Sequence, residues 1–267
     1  MSLLQVDTAE FVTTIRLNRP PVNALTPELQ DELVAALKPL KDADQTRVVV
    51  LTSAIDRYFM AGADIKEMGG EDGFNREDPS ALERVAQMSR RSQAAFAEIE
   101  HFPKPLIAAI NGHALGGGCE LALTADYRFM VDDGRSTIGQ TEVTLGLIPG
   151  AGGTQRLPRL VGRGKATELI FEARRLKAGE AVAIGLVTEA LAPEGFIDSV
   201  LDRARRLAKL APLALRLAKE AIIAGYERGG KGYEVEAENF GRASMTEDAM
   251  IGIMSFMAKQ EPQFTGR

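Results

Sequence analysis

One run of the sequence constrains the fold more than any other: residues 111–121 lead from an apolar segment through three consecutive glycines to a glutamate. The preceding residues 105–110 predict a strand buried on both faces, and residues 119–125 predict a helix. Glycines at such a junction let a ligand approach backbone N–H groups closely. The first N–H groups of a helix have no partner within it and carry partial positive charge. This pattern is typical of a hole for a developing oxyanion, with Glu120 beside it.

A plainer interpretation of this segment stays open. Glycines between a strand and a helix often form only a tight turn, and the helix dipole alone favours a glutamate in a first turn. The choice between the two interpretations therefore depends on the rest of the chain.

A second segment repeats the design. Residues 47–52 predict another buried strand, and residues 59–68 then lead through Ala61 and Ala63 to a short helix capped by Asp64. Two such loops can hold one carbonyl oxygen from two sides, which an acyl group requires when its oxygen becomes enolate-like.

A third segment carries a second isolated acid. Glu142 is the one charged residue between residues 136 and 155, and it lies too far along the chain from Glu120 to share a helix face with it. Two carboxylates in different environments can serve as one general acid and one general base. Taken alone, Glu142 is better explained as a capped or hydrogen-bonded loop acid.

With these three segments, the chain resembles the enoyl-CoA hydratase/isomerase family of the crotonase superfamily over nearly its whole length. Residues 18–25 (Asn-Arg-Pro-Pro-Val-Asn-Ala-Leu) are similar to the family's N-terminal motif. The resemblance implies an α/β fold with a spiral core of repeated ββα turns, which residues 1–192 would form. Residues 193–267 would then form a C-terminal helical region that serves oligomerisation and closes the CoA pocket.

The resemblance also implies the site. Backbone N–H groups of Ala63 and Gly117 would form the oxyanion hole for a thioester carbonyl. Glu120 and Glu142 match the family's two catalytic glutamates, and we assign Glu120 mainly to the attacking water and Glu142 to the proton for the α-carbon. The implied activity is the syn addition of water to a 2-trans-enoyl-CoA, giving a 3-hydroxyacyl-CoA in fatty-acid β-oxidation or related acyl-CoA metabolism.

The implied CoA contacts are spread along the chain. They are Ala24, Ala61, Asp64, Ile65, Lys66, Phe256 and Lys259. For the two lysines, a solvated surface position is an open alternative. The N-terminal loop is one residue shorter than in many hydratases, which often carry a lysine there. Residues 69–80 predict a mobile loop, in the region that walls the family's acyl-chain pocket.

No metal or cofactor is expected, because CoA enters as part of the substrate. The only histidines are His101 and His113, without zinc-site spacing, and Cys119 is the only cysteine. We expect Cys119 to be a small core residue and His113 to have no direct chemical role.

The C-terminal part predicts helices at 196–210, 212–226 and 249–258. Their apolar character, with the resemblance, implies a homotrimer or a hexamer built as a dimer of trimers. No apolar run approaches the roughly 20 residues of a membrane span, and we expect a cytoplasmic protein.

Two alternatives to hydration stay open. A 3,2-enoyl-CoA isomerase, or another crotonase-type lyase or hydrolase, would use the same oxyanion hole, but two glutamates favour a hydratase. An RNA-binding or scaffold member of the family is a further alternative. The net charge of −5 and basic clusters without aromatic residues argue against nucleic acid.

Overall fold

The computed structural model describes residues 2–64, 80–227 and 231–267. Strands and helices follow one another through the first three quarters of the chain, and helices alone make up the rest. The strands are β1 (Leu4–Ala9), β2 (Val12–Leu17), β3 (Val48–Ser53), β4 (Arg57–Met60), β5 (Leu106–Ile110), β6 (Gly112–Leu115), β7 (Tyr127–Val131), β8 (Ile138–Gly139) and β9 (Glu189–Leu191). The α-helices are α1 (Pro27–Leu37), α2 (Ala81–Glu100), α3 (Gly117–Ala122), α4 (Gly153–Val161), α5 (Arg163–Phe171), α6 (Ala178–Ala183), α7 (Phe196–Ala208), α8 (Pro212–Glu227), α9 (Gly232–Ser244) and α10 (Glu247–Ala258). Short 3-10 helices span Lys38–Lys41 and Glu142–Leu145.

The described strands form two sheets. The larger sheet has the order β1-β2-β3-β5-β7-β9 and the smaller one β4-β6-β8. Only β1 and β2 pair antiparallel. Each turn of the chain places one strand in the larger sheet and the next in the smaller sheet, first β3 and β4, then β5 and β6, then β7 and β8. Successive turns lie side by side, which confirms the predicted α/β spiral.

Burial on both faces explains the continuous apolar strands. Val49 and Leu51 of β3 pack into the main core, whereas Val48 and Val50 point to the opposite face of the larger sheet. Side chains alternate along a strand, so a strand covered on both sides needs apolar residues at every position. The opposite face is covered by α7, with Phe196 buried against the sheet.

The strand predictions agree with the structure to within one residue, but the predicted helix 119–125 was wrong at its start. Helix α3 begins two residues earlier, so that Gly117 and Gly118 lie inside it. Gly118 packs on the end of β4, where a Cβ would lie 2.2 Å from the carbonyl oxygen of Met60. Only glycine fits this contact. Because the helix starts two residues early, the series of backbone N–H groups without a partner inside the helix begins at Gly117.

The predicted C-terminal helices correspond to α7, α8 and α10, and α9 was missed. The chain after α10 (residues 260–267, the C-terminal tail) returns along it. Asp248 accepts hydrogen bonds from Thr265 N at 2.7 Å and Gly266 N at 2.9 Å, and Arg47 Nη2 donates to Phe264 O at 3.1 Å. The tail is thereby fixed to both the last helix and the start of β3.

Two predictions concern other parts of the chain. The loop expected at 69–80 lies outside the described residues up to 79, and α2 begins at Ala81. Among the helices that the structure describes, none has the length and apolar character needed to cross a bilayer.

Candidate active site

The first half of the candidate oxyanion hole is the loop after β4. Gly62 adopts a φ of +114°, and the segment pairs with the N-terminal loop. Leu25 N donates to Gly62 O at 2.7 Å, and Asp64 N donates to Leu25 O at 3.0 Å. These bonds use the groups on either side of Ala63 and leave its own N–H without a partner among the described residues.

The second half is the junction between β6 and α3. Gly116 has a φ of +51°, and Gly117 is the first helical residue, so its N–H has no acceptor within the helix. A Cβ on Gly117 would lie 3.6 Å from Ala63 N and 2.9 Å from Leu25 Cδ2. The two predicted donor residues therefore lie side by side, with bare glycine backbone next to them. The structure brings together Ala63 and Gly117, the two residues that the resemblance implies.

Glu120 lies one helical turn beyond these donors and is only 3% exposed. Its Oε1 accepts hydrogen bonds from Ala151 N and Gly153 N, both at 2.7 Å. Burial raises the pKa of this carboxyl, while the two N–H groups and the positive charge of Arg156 oppose that rise. The carboxylate is thus fixed in position, with its second oxygen making no hydrogen bond to the described residues.

Glu142 begins the 3-10 helix after β8. Its Oε1 lies 3.1 Å from the position of a Cβ on Gly116, so its carboxyl sits directly beside the glycine turn. Burial raises its pKa from 4.5 to about 7, and the negative charge of Glu120 adds to the rise. The two glutamates are therefore close enough to interact. At neutral pH, Glu142 is divided between its protonated and ionised forms.

Gln140 is a neighbour that sequence reasoning missed. It is 1% exposed. In the amide orientation that gives both of its polar atoms a partner, Nε2 donates to Glu142 Oε1 at 3.0 Å and to Oε2 at 3.3 Å. A glutamine in an uncharged run near a candidate acid was the available signal.

The predicted CoA contacts divide into three groups. Arg19 joins Asp64 and Ala24, since its Nη2 donates to Asp64 Oδ2 at 2.9 Å and its Nη1 to Ala24 O at 3.4 Å. Ala61 lies in the same loop. Ile65, Lys66 and the helix expected after Asp64 lie outside the described residues.

The third group is on the C-terminal helices. Phe256 lies in the last turn of α10 and is 85% exposed, and Lys259 ends that helix with a φ of +54°. The structure places both of them on the C-terminal helices and not on the loops around Ala63.

Two residues near the site have structural surroundings. Cys119 is completely buried, and burial raises the pKa of its thiol far above the range of a nucleophile. His113 Nδ1 lies 3.0 Å from Thr137 Oγ1 and accepts from Thr137 N at 3.1 Å, on the smaller sheet. No group of His, Cys, Asp or Glu side chains among the described residues could hold a metal ion.

Comparisons with known proteins point to one family. The model of the enoyl-CoA hydratase/isomerase family matches residues 7–267. A mouse protein named enoyl-CoA hydratase domain-containing protein 2, mitochondrial, is 40% identical, over 96% of this chain and 85% of its own. A crotonyl-CoA hydratase of Syntrophomonas wolfei is 37% identical, over 97% of this chain and 96% of its own. A crystal structure of an enoyl-CoA hydratase from Bacillus anthracis superimposes with a TM-score of 0.89 at 38% identity, with both chains fully covered.

The chain therefore belongs to the enoyl-CoA hydratase/isomerase family, and it has the crotonase fold. Membership makes it an enzyme of the crotonase family, for which an acyl-CoA is the fitting substrate.

Proposed function

We propose that the protein is an enoyl-CoA hydratase that adds water to a 2-trans-enoyl-CoA and forms a 3-hydroxyacyl-CoA. One observation carries the proposal: Glu120 lies in the first turn of the helix that Gly117 begins, Glu142 lies beside Gly116, and the two acids have different environments. Glu120 is held by two N–H groups, while the pKa of Glu142 is raised to about 7. A pair of acids with separated pKa values suits a reaction that needs one base and one acid.

The reaction begins with polarisation of the thioester. Its carbonyl oxygen would accept hydrogen bonds from Ala63 N and Gly117 N, which stabilise the negative charge as the oxygen becomes enolate-like. One such donor is worth about 10²–10³ in rate in other enzymes. The β-carbon becomes electrophilic as a result.

The two glutamates would then move the protons of water. Glu120 accepts a proton from the water molecule while the oxygen of that water bonds to the β-carbon. Glu142 gives its proton to the α-carbon on the same face, which is syn addition. Return of the proton from Glu120 to Glu142 leaves one water added and both acids restored. No step requires a metal or redox cofactor.

Substrate binding and assembly are part of the same proposal. Ala24, Ala61, Asp64, Ile65 and Lys66 would contact CoA beside the oxyanion hole, and Phe256 and Lys259 would close the CoA pocket from the C-terminal region. The C-terminal helices expose large apolar side chains, among them Tyr233, Phe240 and Met254. Such a surface favours contact with further copies, and we propose a trimer or a dimer of trimers in the cytoplasm. Fatty-acid β-oxidation or related acyl-CoA metabolism is the proposed setting.

The test follows the loss of the conjugated thioester absorbance of crotonyl-CoA. We expect activity in the wild type and losses of about 10²-fold or more in Glu120→Gln and in Glu142→Gln. Glu168→Gln is the matched control, because Glu168 is a half-buried acid that pairs with Lys165 and Arg174 and not with Glu120 or Glu142. Its activity should equal that of the wild type.

Two results would overturn the proposal. One is a folded wild type that hydrates neither short nor long 2-enoyl-CoA. The other is full activity in either glutamine variant. If the wild type fails to hydrate 2-enoyl-CoA but converts a 3-enoyl-CoA to the 2-enoyl isomer, the isomerase alternative is favoured.

A further inference from the structure

The backbone loop that binds Glu120 is itself held by a partly buried ion pair. Arg156, on α4, donates from Nε to Glu100 Oε2 at 2.8 Å and from Nη1 to Ala151 O at 2.9 Å. The side chain of Arg156 is 10% exposed and that of Glu100 is 22% exposed. Both bonds are charge-assisted, and the planar guanidinium fixes their relative direction.

The same loop presents the two N–H groups that reach Glu120. Ala151 therefore donates through its nitrogen to the glutamate and accepts through its oxygen from Arg156. Gly152, between Ala151 and Gly153, has a φ of +111°, and a Cβ there would lie 2.1 Å from Arg156 Nη1. The guanidinium thus packs against the loop at the one residue that allows its turn.

Helix α2 holds the loop from the other side. Ser89 Oγ donates to Gly150 O at 2.6 Å and Gln93 Nε2 donates to the same oxygen at 3.1 Å. Glu100 ends this helix. With its carbonyl groups bound from α2 and by Arg156, the loop directs its N–H groups to Glu120.

We propose that Arg156, anchored by Glu100, is a positioning residue that sets the place of the Glu120 carboxylate through the loop 150–153. The inference rests on the proposed function, in which Glu120 accepts a proton from water. Arg156 itself contacts no reacting atom.

The positive charge of Arg156 distinguishes a positioning role at Glu120 from a purely structural role, because the charge acts on the ionisation of Glu120. The groups that face Glu120 are Arg156 from α4, Glu142 from the 3-10 helix and the neutral Cys119 on its own helix. The cation of Arg156 holds the pKa of Glu120 below the value that burial alone would produce. Removal of that cation should therefore shift the ionisation of Glu120 to higher pH, while removal of Glu100 should not.

The experiment compares Arg156→Gln, Arg156→Lys and Glu100→Gln. In Arg156→Gln, the acidic limb of the profile of kcat against pH should move up by about 0.5 pH unit or more. Its kcat at the optimum should fall by about 10²-fold, as expected for a displaced catalytic group. Arg156→Lys keeps the positive charge but loses the two fixed N–H directions of the guanidinium. The acidic limb of its pH profile should therefore stay near that of the wild type, while kcat falls. Glu100→Gln should lower kcat without an upward shift.

A matched control and a second readout complete the test. Lys219→Met breaks the Lys219–Asp126 pair, whose side chains are 10% and 28% exposed, on helix α8 away from the loop. It should lower Tm to a similar degree and leave the pH profile unchanged. Infrared spectroscopy also follows the protonated carboxyl of Glu120 directly. Its C=O stretching band is identified as the one that is present in the wild type and missing from Glu120→Gln.

These readouts keep the two proposals apart. If the band of Glu120 titrates at higher pH in Arg156→Gln while the wild type hydrates nothing, the positioning role stands and the hydratase proposal falls. If the wild type is active and neither the limb nor the band moves in Arg156→Gln, the positioning role is refuted. An equal shift in Lys219→Met would refute it as well.

Discussion

Replacing Glu142 by glutamine should make the folded protein more stable above neutral pH. Burial raises the pKa of Glu142 from 4.5 to about 7, so the folded chain binds this proton more tightly than the unfolded chain does. Stability from this group is therefore present at low pH and is lost as pH rises from 4.5 to about 7. A difference of one in pKa corresponds to about 1.4 kcal/mol, so the rise from 4.5 to about 7 gives an upper limit of about 3.5 kcal/mol. Since the carboxyl is partly exposed, we expect about 1–2 kcal/mol.

The assay is urea unfolding of the wild type and Glu142→Gln between about pH 5 and pH 8, at one protein concentration because assembly adds to apparent stability. The free energies of unfolding should agree to within about 0.5 kcal/mol near pH 5. The variant should become the more stable protein as pH rises. Glutamine can still accept a hydrogen bond and carries no charge, so the difference reports the ionisation of one carboxyl.

The pH dependence decides the outcome. A difference of constant size across the range would mean a change in packing and would refute an elevated pKa at Glu142. Glu168→Gln serves as the control, because hydrogen bonds from Lys165 and Arg174 lower the pKa of Glu168. It should gain no stability as pH rises.

Three further predictions concern the framework of the site. Gly118→Ala would place a Cβ 2.2 Å from Met60 O, and the strain should cost about 1–3 kcal/mol or more; an unchanged Tm would contradict the tight packing of α3 on β4. Thr26→Ala removes the side chain that caps α1 by accepting from Leu29 N at 3.3 Å, and urea unfolding should show a loss of about 1 kcal/mol that Thr26→Ser largely restores. Asp248→Asn weakens the bonds that hold the C-terminal tail, so hydrogen exchange of the tail amides should become about tenfold faster or more; equal exchange would show that other contacts fix the tail.

The sequence predicted those parts of the fold in which apolar residues form a continuous run or recur at regular helical spacing. The strand at Leu106–Ile110 and the helices at Phe196–Ala208 and Pro212–Glu227 are examples. The smaller sheet could not be predicted in this way, because β8 has two residues and β6 has four. Gly112 in β6 packs on β4, where a Cβ would lie 2.3 Å from Arg57 C, and this contact leaves no periodic signal. Helix α9 was missed since it begins at Gly232 and contains Gly241.

The main groups of the candidate site were named from the sequence through the family resemblance. The run of glycines contains Gly117, and the isolated acid is Glu142. The supports of these groups were not predicted, because Arg156 acts through a carbonyl oxygen and Glu100 comes from a distant helix. Such a network depends on three-dimensional proximity, and one sequence without its fold carries no measure of it.

The smaller sheet has a consequence for how the family could diversify. Its strands β4, β6 and β8 run parallel, so the segments that follow them emerge at one edge, and these segments contain Ala63, Gly117 and Glu142. Each turn of the spiral thus places one of these groups after the equivalent strand. In the proposed mechanism, the first two groups act through their backbone N–H, which side-chain substitution leaves in place. The third acts through its side chain, so under that mechanism a single codon change at position 142 would alter how the enolate is protonated and leave the groups that bind its oxygen unchanged.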